Sequence, residues 1–170
     1  MADVIISPPF QPTRIFNRLL LGTLWNVKHL AESEHNVGLV VNCTDETVPR
    51  LPKVSMIQLG LLDGYEVADN KIEYAVRILR QFFEISHERE ALVCCHASQS
   101  RSPAIVLAYL LSIGMGLAEA EAFLQGKHPK TFIAPAILKS IRKYFGYAPK
   151  TVEDFIRCSD WKETGTGKIQ

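Results

Sequence analysis

One stretch of the sequence, residues 91–111, constrains the fold more than any other. It reads ALVCC, then a polar run HASQSRSP, then an apolar run AIVLAYLL. A short apolar run, a polar loop and a second apolar segment indicate a buried strand, a tight loop and a buried helix. Ser102 is the predicted N-cap of that helix, and Pro103 is its predicted first residue. The sequence therefore places a loop from Cys95 to Arg101 between the end of a strand and the start of a helix.

A loop in this position favours the binding of an anion. Its backbone N–H groups can converge on one point, and the start of the helix adds partial positive charge. Arg101 can add a planar fork of donors that suits a phosphate. The same surroundings favour the thiolate form of Cys95. The five residues between Cys95 and Arg101 let the loop curl around one bound group, which indicates displacement at phosphorus through a phosphocysteine.

The sequence CHASQSRS at residues 95–102 resembles the phosphate-binding loop of cysteine-dependent protein phosphatases, specifically of their small dual-specificity branch. The family pattern is His-Cys, five residues, Arg, then Ser or Thr. The resemblance extends from about Leu19 to about Phe145. It implies a metal-independent protein phosphatase without a cofactor. The substrates that it implies are phosphotyrosine, with phosphoserine and phosphothreonine as further candidates.

The resemblance also assigns roles to residues of the loop. It makes Cys95 the nucleophile, Arg101 the phosphate ligand, and Ser102 the hydroxyl that helps the thiolate leave. A plain N-cap role for Ser102 is compatible with that assignment. The residues that it implies for phosphate binding are His96, Ala97, Ser98, Gln99, Ser100 and Arg101.

A phosphatase also needs an acid that gives a proton to the leaving oxygen. Asp63 lies 32 residues before Cys95, in a loop that follows a predicted strand, where the family keeps its general acid. An aspartate beside Gly64 is also common in ordinary turns. Glu66 and Asp69 are the alternative acids, although Asp69 is also a candidate helix cap.

Two residues depart from the family pattern. Cys94 stands where the family has histidine, and a thiol cannot supply the same hydrogen bonds; filling space in the strand is the alternative role. Ser98 stands where the family has glycine, which adopts positive φ more easily than serine. His96 and Gln99 are predicted to point away from the bound group, with substrate contact as an alternative for His96.

The cysteines are predicted to be thiols, because two of the four are adjacent in a strand and cannot form a disulfide framework. Cys43 ends a strand expected to neighbour Cys95. A reversible disulfide of Cys95 with Cys43 or Cys94 is one hypothesis, and core packing of Cys43 is the other.

Strand and helix patterns alternate along the chain, which predicts an α/β fold with a central, mostly parallel sheet flanked by helices. The predicted organisation is a single catalytic domain at residues 19–147. An extended arm at residues 1–18 precedes it, and a partly mobile tail at residues 148–170 follows. Phe155 and Trp161 in the tail are candidates to pack back on the domain.

Several polar residues have the spacing of helix caps. Asn26 is predicted to cap the first helix, and Asn70 with Glu73 has the spacing of a capping box before the second. Pro135 is predicted near the start of the last helix, which Gly146 would end.

Composition excludes little. A net charge of +1 over 170 residues gives no reason to expect nucleic acid or a membrane surface as partner. The beginning of the sequence, MADVIISPP, lacks the pattern of a signal peptide, so the expected location is the cytoplasm.

The histidines and cysteines lack metal-ligand spacing, and the oligomeric state stays open. The expected partner is a phosphorylated protein or peptide.

Three alternatives to a protein phosphatase remain. The departures at Cys94 and Ser98 suggest a pseudophosphatase that binds phosphopeptides without turnover. A phosphatase of inositol lipids, RNA 5′ ends or phosphoglucans would share the loop. The absence of lysine from residues 95–101 argues against a polyanionic lipid. A rhodanese or an arsenate reductase fits less well, because of loop length and loop position respectively.

Overall fold

The computed structural model describes residues 11–147 of the chain. Its strands are β1 (Thr13–Phe16), β2 (Leu19–Thr23), β3 (Val37–Asn42), β4 (Ser55–Gln58) and β5 (Glu90–Cys95). Its helices are α1 (Leu24–Lys28), α2 (Asp69–Ile85), α3 (Arg101–Ser112), α4 (Leu117–Lys127) and α5 (Pro135–Tyr144), with a 3₁₀ turn at Leu30–Glu32. The predictions for residues 1–10 and 148–170, including the packing of Phe155 and Trp161, lie outside the described residues.

The five strands form one sheet in the order β1-β2-β5-β3-β4. β2, β5, β3 and β4 are parallel, and β1 pairs antiparallel with β2. The predicted α/β fold with a mostly parallel central sheet is confirmed. In such a sheet the carboxyl ends of the parallel strands meet at one edge, where ligands bind.

β1 is the main difference from the predicted organisation, because it lies inside the range predicted to be an arm. Ile15 is buried in the core, and the Arg14 guanidinium binds the Glu90 carboxylate at 2.5 Å. Glu90 also lies 3.2 Å from His35. The sheet therefore begins before Leu19. β1 has a single buried apolar side chain, so its sequence lacks the alternation of apolar and polar residues that identifies a half-buried strand.

The two faces of the sheet carry separate cores. On one face, α3 contacts β2 and β5 as well as α2, α4 and α5. It is buried from Arg101 to Leu111, as expected of a helix that is apolar all round. On the other face, Leu20, Leu92 and Cys94 pack with α1 and the loop around Leu51. None of the described helices is long and apolar enough to cross a membrane.

Three predicted helix caps are wrong, each by a few residues. Thr23 caps α1, and Asn26 lies in its first turn as the other half of a capping box. Ala68 precedes α2 without a side-chain cap. α3 begins at Arg101, after Ser100, so that Ser102 lies inside its first turn. A helix end is fixed by the packing of the whole element, and isolated capping residues identify it poorly.

We expect Leu107→Ala to lower the free energy of unfolding by about 2–5 kcal/mol, because it removes a fully buried side chain from the centre of α3. Ile85→Ala is the matched control on an exposed position of α2, and it should change stability by less than about 0.5 kcal/mol. Urea unfolding of both variants measures the difference. Equal losses would contradict the placement of α3 in the core.

Candidate active site

A cavity of about 340 Å³ lies at the carboxyl edge of the sheet, between the end of β5 and the start of α3. Most of its lining comes from the loop at residues 95–101, here called the 95–101 loop. Two other segments contribute the rest. The lining residues are Asp63, Gly64, Cys95, His96, Ala97, Gln99, Ser100, Arg101, Phe132 and Ala134.

Cys95 ends β5 opposite Thr23 of β2, and it is only 2% exposed. The Ser102 hydroxyl donates a hydrogen bond to its sulfur, with 3.0 Å between Oγ and Sγ. A donated hydrogen bond stabilises negative charge on the acceptor. Because α3 begins two residues earlier than predicted, Ser102 bonds to the sulfur instead of capping the helix.

Arg101 places a guanidinium at the cavity, on a side chain that is 10% exposed. Its Nη1 donates to the backbone oxygen of Leu61 at 3.4 Å. Its Nε lies 3.6 Å from Asp63 Oδ1, which is too long for a hydrogen bond, and within residues 11–147 it has no hydrogen-bond partner. A buried cation with an unused donor favours an anionic ligand.

The backbone of the 95–101 loop supplies further donors. None of the N–H groups of residues 96–101 donates to a backbone carbonyl in the described part of the chain. Five of these six residues, all except Ser98, line the cavity together with Cys95. The start of α3 adds its partial positive charge at the same place. The structure therefore places a thiol, a guanidinium and a loop whose N–H groups have no backbone acceptor around one cavity.

Ser98 has a φ of 56°, the left-handed conformation that glycine adopts without strain. For other residues this conformation costs about 1–2 kcal/mol. The Ser98 side chain is buried and directed to His128, with 3.4 Å between Oγ and Nε2. Of the residues predicted to bind phosphate, Ser98 is the one that does not line the cavity.

A segment between α4 and α5, residues 128–134, contacts the outer side of this loop. His128 Nε2 lies 2.8 Å from the Ser98 carbonyl oxygen. The Phe132 N–H donates to the Gln99 carbonyl at 2.7 Å, and the Ala134 N–H donates to Ser100 Oγ at 2.9 Å. Three consecutive loop residues are therefore each hydrogen-bonded to the 128–134 segment.

Asp63 lies at the tip of a loop, residues 61–67, that is fixed at both ends. The Leu61 N–H donates to the Cys43 carbonyl at 2.8 Å, and the Val67 N–H donates to Ser140 Oγ at 2.9 Å. Between them, Gly64 has a φ of 81°, and the Asp63 side chain is 64% exposed. A carboxyl group thus lies at the cavity beside Arg101.

The two alternative acids lie elsewhere. Glu66 binds Lys139 at 2.8 Å, and that hydrogen bond lowers the pKa of Glu66. Asp69 is the first residue of α2. Neither lines the cavity, so the structure places only Asp63 of the three candidates there.

His96 and Gln99 both belong to the lining of the cavity, and the predicted direction of their side chains, away from the bound group or toward substrate for His96, stays a prediction. His96 Nε2 lies 2.7 Å from Glu46 Oε2. The backbone of Glu46 is held by the Asn42 side chain, which donates to its carbonyl at 2.8 Å. Glu46 therefore holds the His96 ring from outside the 95–101 loop.

The remaining described cysteines are buried thiols. Cys94 packs on the face of the sheet opposite to Cys95, and burial raises its pKa to about 12. Burial, followed by the neighbouring Cys95 and Cys94, raises the pKa of Cys43 well above its usual range. Cys94 therefore fills space, and the hypothesis of a disulfide with Cys95 stays a prediction.

The described residues contain no group of three His, Cys, Asp or Glu side chains placed to hold a metal ion. His128, Phe132 and Ala134 could not be identified from the sequence, because their contacts with the 95–101 loop are tertiary. Only Phe132 has a sequence feature that could have indicated its place at the site, because it is a large aromatic residue in a short connection between two helices. In the structure its side chain is 64% exposed.

A scan against models of known protein families finds no match, and a search of curated proteins finds none either. Solved structures do match the fold. Human DUSP28 gives a TM-score of 0.70 at 24% identity, over 79% of this chain and 95% of its own. A candidate mouse dual specificity phosphatase complexed with zinc tungstate gives a TM-score of 0.71 at 23% identity, over 82% of this chain and 87% of its own. PTPMT1 in complex with PI(5)P gives a TM-score of 0.68 at 20% identity, over 86% of this chain and 98% of its own. The chain therefore has the fold of the small dual-specificity phosphatases, as the resemblance of its loop implied.

We expect the stability contribution of His128 to fall as the pH is lowered. Burial lowers the pKa of His128 below its ordinary value of 6.5, and the bond to Ser98 offsets this in part. As the pH falls through that ordinary value, the unfolded chain takes up a proton on this ring before the folded protein does, so folding becomes less favourable. Urea unfolding of wild type and His128→Gln from about pH 7.5 to about pH 5.5 should show wild type losing more stability. Parallel pH profiles would contradict this.

Proposed function

We propose that this protein is a metal-independent phosphatase that hydrolyses phosphate monoesters through a phosphocysteine intermediate. The observation that carries the proposal is the position of Arg101. Its buried guanidinium has an Nε without a hydrogen-bond partner in residues 11–147, and it shares a cavity with Cys95 and the loop amides. A phosphate dianion supplies the negative charge and the acceptor lone pairs that these donors lack.

In the first step the Cys95 thiolate attacks phosphorus. A sulfur–phosphorus bond forms while the ester oxygen–phosphorus bond breaks. Arg101 and the N–H groups of residues 96–101 bind the three equatorial oxygens, whose charge they stabilise without rearranging. Asp63 gives its proton to the leaving oxygen, which departs as a neutral hydroxyl.

In the second step water hydrolyses the phosphocysteine. The Asp63 carboxylate accepts a proton from the attacking water, and the sulfur–phosphorus bond breaks. The electron pair of that bond returns to sulfur as a thiolate. The Ser102 hydroxyl, with 3.0 Å between Oγ and Sγ, stabilises this leaving group. Inorganic phosphate is released and Cys95 is ready for another turnover.

The substrate that we infer is phosphotyrosine in a protein or peptide, with phosphoserine and phosphothreonine as slower substrates. Phe132 supports this choice. Its side chain is 64% exposed at the cavity, and its backbone is fixed by the bond to Gln99. Aromatic rings pack favourably against each other, so an aryl leaving group gains a contact that a serine side chain lacks.

A second substrate class, an inositol lipid, is suggested by the neighbour PTPMT1, which was solved with PI(5)P. The local charge argues against it. Arg101 is the only arginine or lysine of the 95–101 loop, and His96 is already paired with Glu46. A headgroup with several phosphates needs more cations than that. Equal turnover of phosphotyrosine peptides and PI(5)P vesicles would overturn the preference.

We expect Cys95→Ser to lower turnover of p-nitrophenyl phosphate by about 10³-fold or more, because the serine hydroxyl is a far weaker nucleophile here. Cys94→Ala is the matched control, since the neighbouring thiol packs on the opposite face and should be dispensable. Initial rates of both variants measure the effect. Turnover that survives in Cys95→Ser would refute the mechanism. A wild type that binds phosphate without turnover would instead be a phosphopeptide-binding protein.

We expect Asp63→Asn to lower kcat most for substrates with poor leaving groups, by about 10²–10⁴-fold. An alkoxide leaves only with a proton, whereas p-nitrophenolate leaves readily without one. Glu66→Gln is the control, because that carboxylate binds Lys139. A series of aryl and alkyl phosphates gives the dependence on the leaving group. A uniform loss across the series would point to a different acid.

A further inference from the structure

The 95–101 loop contains a strained residue, and its strain needs an opposing contact. Ser98 has a φ of 56°, a conformation that a residue with a Cβ avoids unless its surroundings enforce it. If the Ser98 peptide relaxed, the N–H groups beside it would no longer converge on one anion. Something outside the loop must therefore hold this peptide in place.

His128 makes the contact that does so. It follows α4 directly, and its side chain is buried. One ring nitrogen, Nε2, lies 2.8 Å from the Ser98 carbonyl oxygen. The other, Nδ1, lies 2.7 Å from Thr13 Oγ1 on β1. Both nitrogens are used within the protein.

These contacts fix the tautomer of the ring. A carbonyl oxygen can only accept a hydrogen bond, so the hydrogen is on Nε2. In the neutral ring Nδ1 is then an acceptor, and the Thr13 hydroxyl donates to it. Burial lowers the pKa of His128, which favours this neutral form.

We propose that His128 is a positioning residue of the site: its Nε2–H holds the Ser98 carbonyl, and with it the left-handed conformation that aims the loop amides at the phosphate. It touches neither substrate nor the reacting atoms. This proposal extends the proposed function of the same cavity. Its test, however, measures anion binding and needs no turnover.

The matched pair of variants is His128→Gln and His128→Met. The two side chains are similar in length and flexibility, and only glutamine has an N–H that can reach the Ser98 carbonyl. Isothermal titration calorimetry with tungstate, a tetrahedral phosphate analogue, measures the affinity. We expect His128→Met to bind tungstate about tenfold more weakly, and His128→Gln to recover most of that loss.

Ser98→Gly separates positioning from general packing. Glycine adopts positive φ without strain, so the loop then depends less on His128. The loss caused by His128→Met should shrink several-fold when both proteins of the comparison carry Ser98→Gly. An equal loss in the two backgrounds would overturn the proposal.

Two further variants control for stability. Leu124→Ala removes a buried side chain from the same helix α4, and it should lower the melting temperature while keeping tungstate affinity. Thr13→Val removes the hydroxyl that bonds Nδ1 and so helps to hold the ring in place, on a strand position that is half-buried. It should weaken tungstate binding in the same direction as His128→Met. Unchanged affinity in Thr13→Val would overturn the proposal even if His128→Met did not fold.

Discussion

A guanidinium group removed from water needs negative charge and acceptors around it, and Arg101 is the group on which this site depends. Its side chain is 10% exposed, with a weak 3.4 Å bond to the Leu61 carbonyl and an Asp63 carboxylate too far for a hydrogen bond. Taking a guanidinium out of water costs several kcal/mol unless hydrogen bonds and opposite charge replace its hydration. In the proposed function, the bound phosphate supplies the acceptors that the unused Nε donor lacks. The thiol and the residues of the 95–101 loop other than Ser98 line the same cavity as this guanidinium.

The strand and the helix that flank the 95–101 loop are both buried in the fold. β5 is covered on both faces, and α3 is packed against three other helices. The loop between them therefore has fixed ends, but seven residues can still relax between fixed ends. Contacts from outside remove that freedom. The 128–134 segment bonds to three consecutive residues of the loop, and Asn42 with Glu46 holds the side near His96. Binding sites gain affinity when their donors are placed in advance.

Much of this could be predicted from local sequence. The alternation of strands and helices and the loop between β5 and α3 follow from patterns within a few residues, whereas the place of Asp63 at the cavity was implied by the resemblance of that loop to a family. The cap of α3 could not be predicted, because Ser100 and Ser102 are equally good caps and only the sulfur of Cys95 decides how Ser102 is used. β1 was missed because its burial comes from pairing with β2 and from Glu90, a residue far along the chain. His128 and Phe132 were missed for the same reason, since each acts through a loop about 30 residues away.

The most direct test of the account is the chemical identity of the covalent intermediate. Asp63→Asn should slow hydrolysis of the phosphocysteine more than its formation from an activated aryl phosphate, so the intermediate should accumulate. Mass spectrometry of this variant, quenched with acid during turnover of p-nitrophenyl phosphate, reports the intact mass and the modified peptide. The account predicts one added phosphoryl group, located on Cys95. A phosphoryl group on another residue, or steady product release with no adduct at any time point, would contradict it.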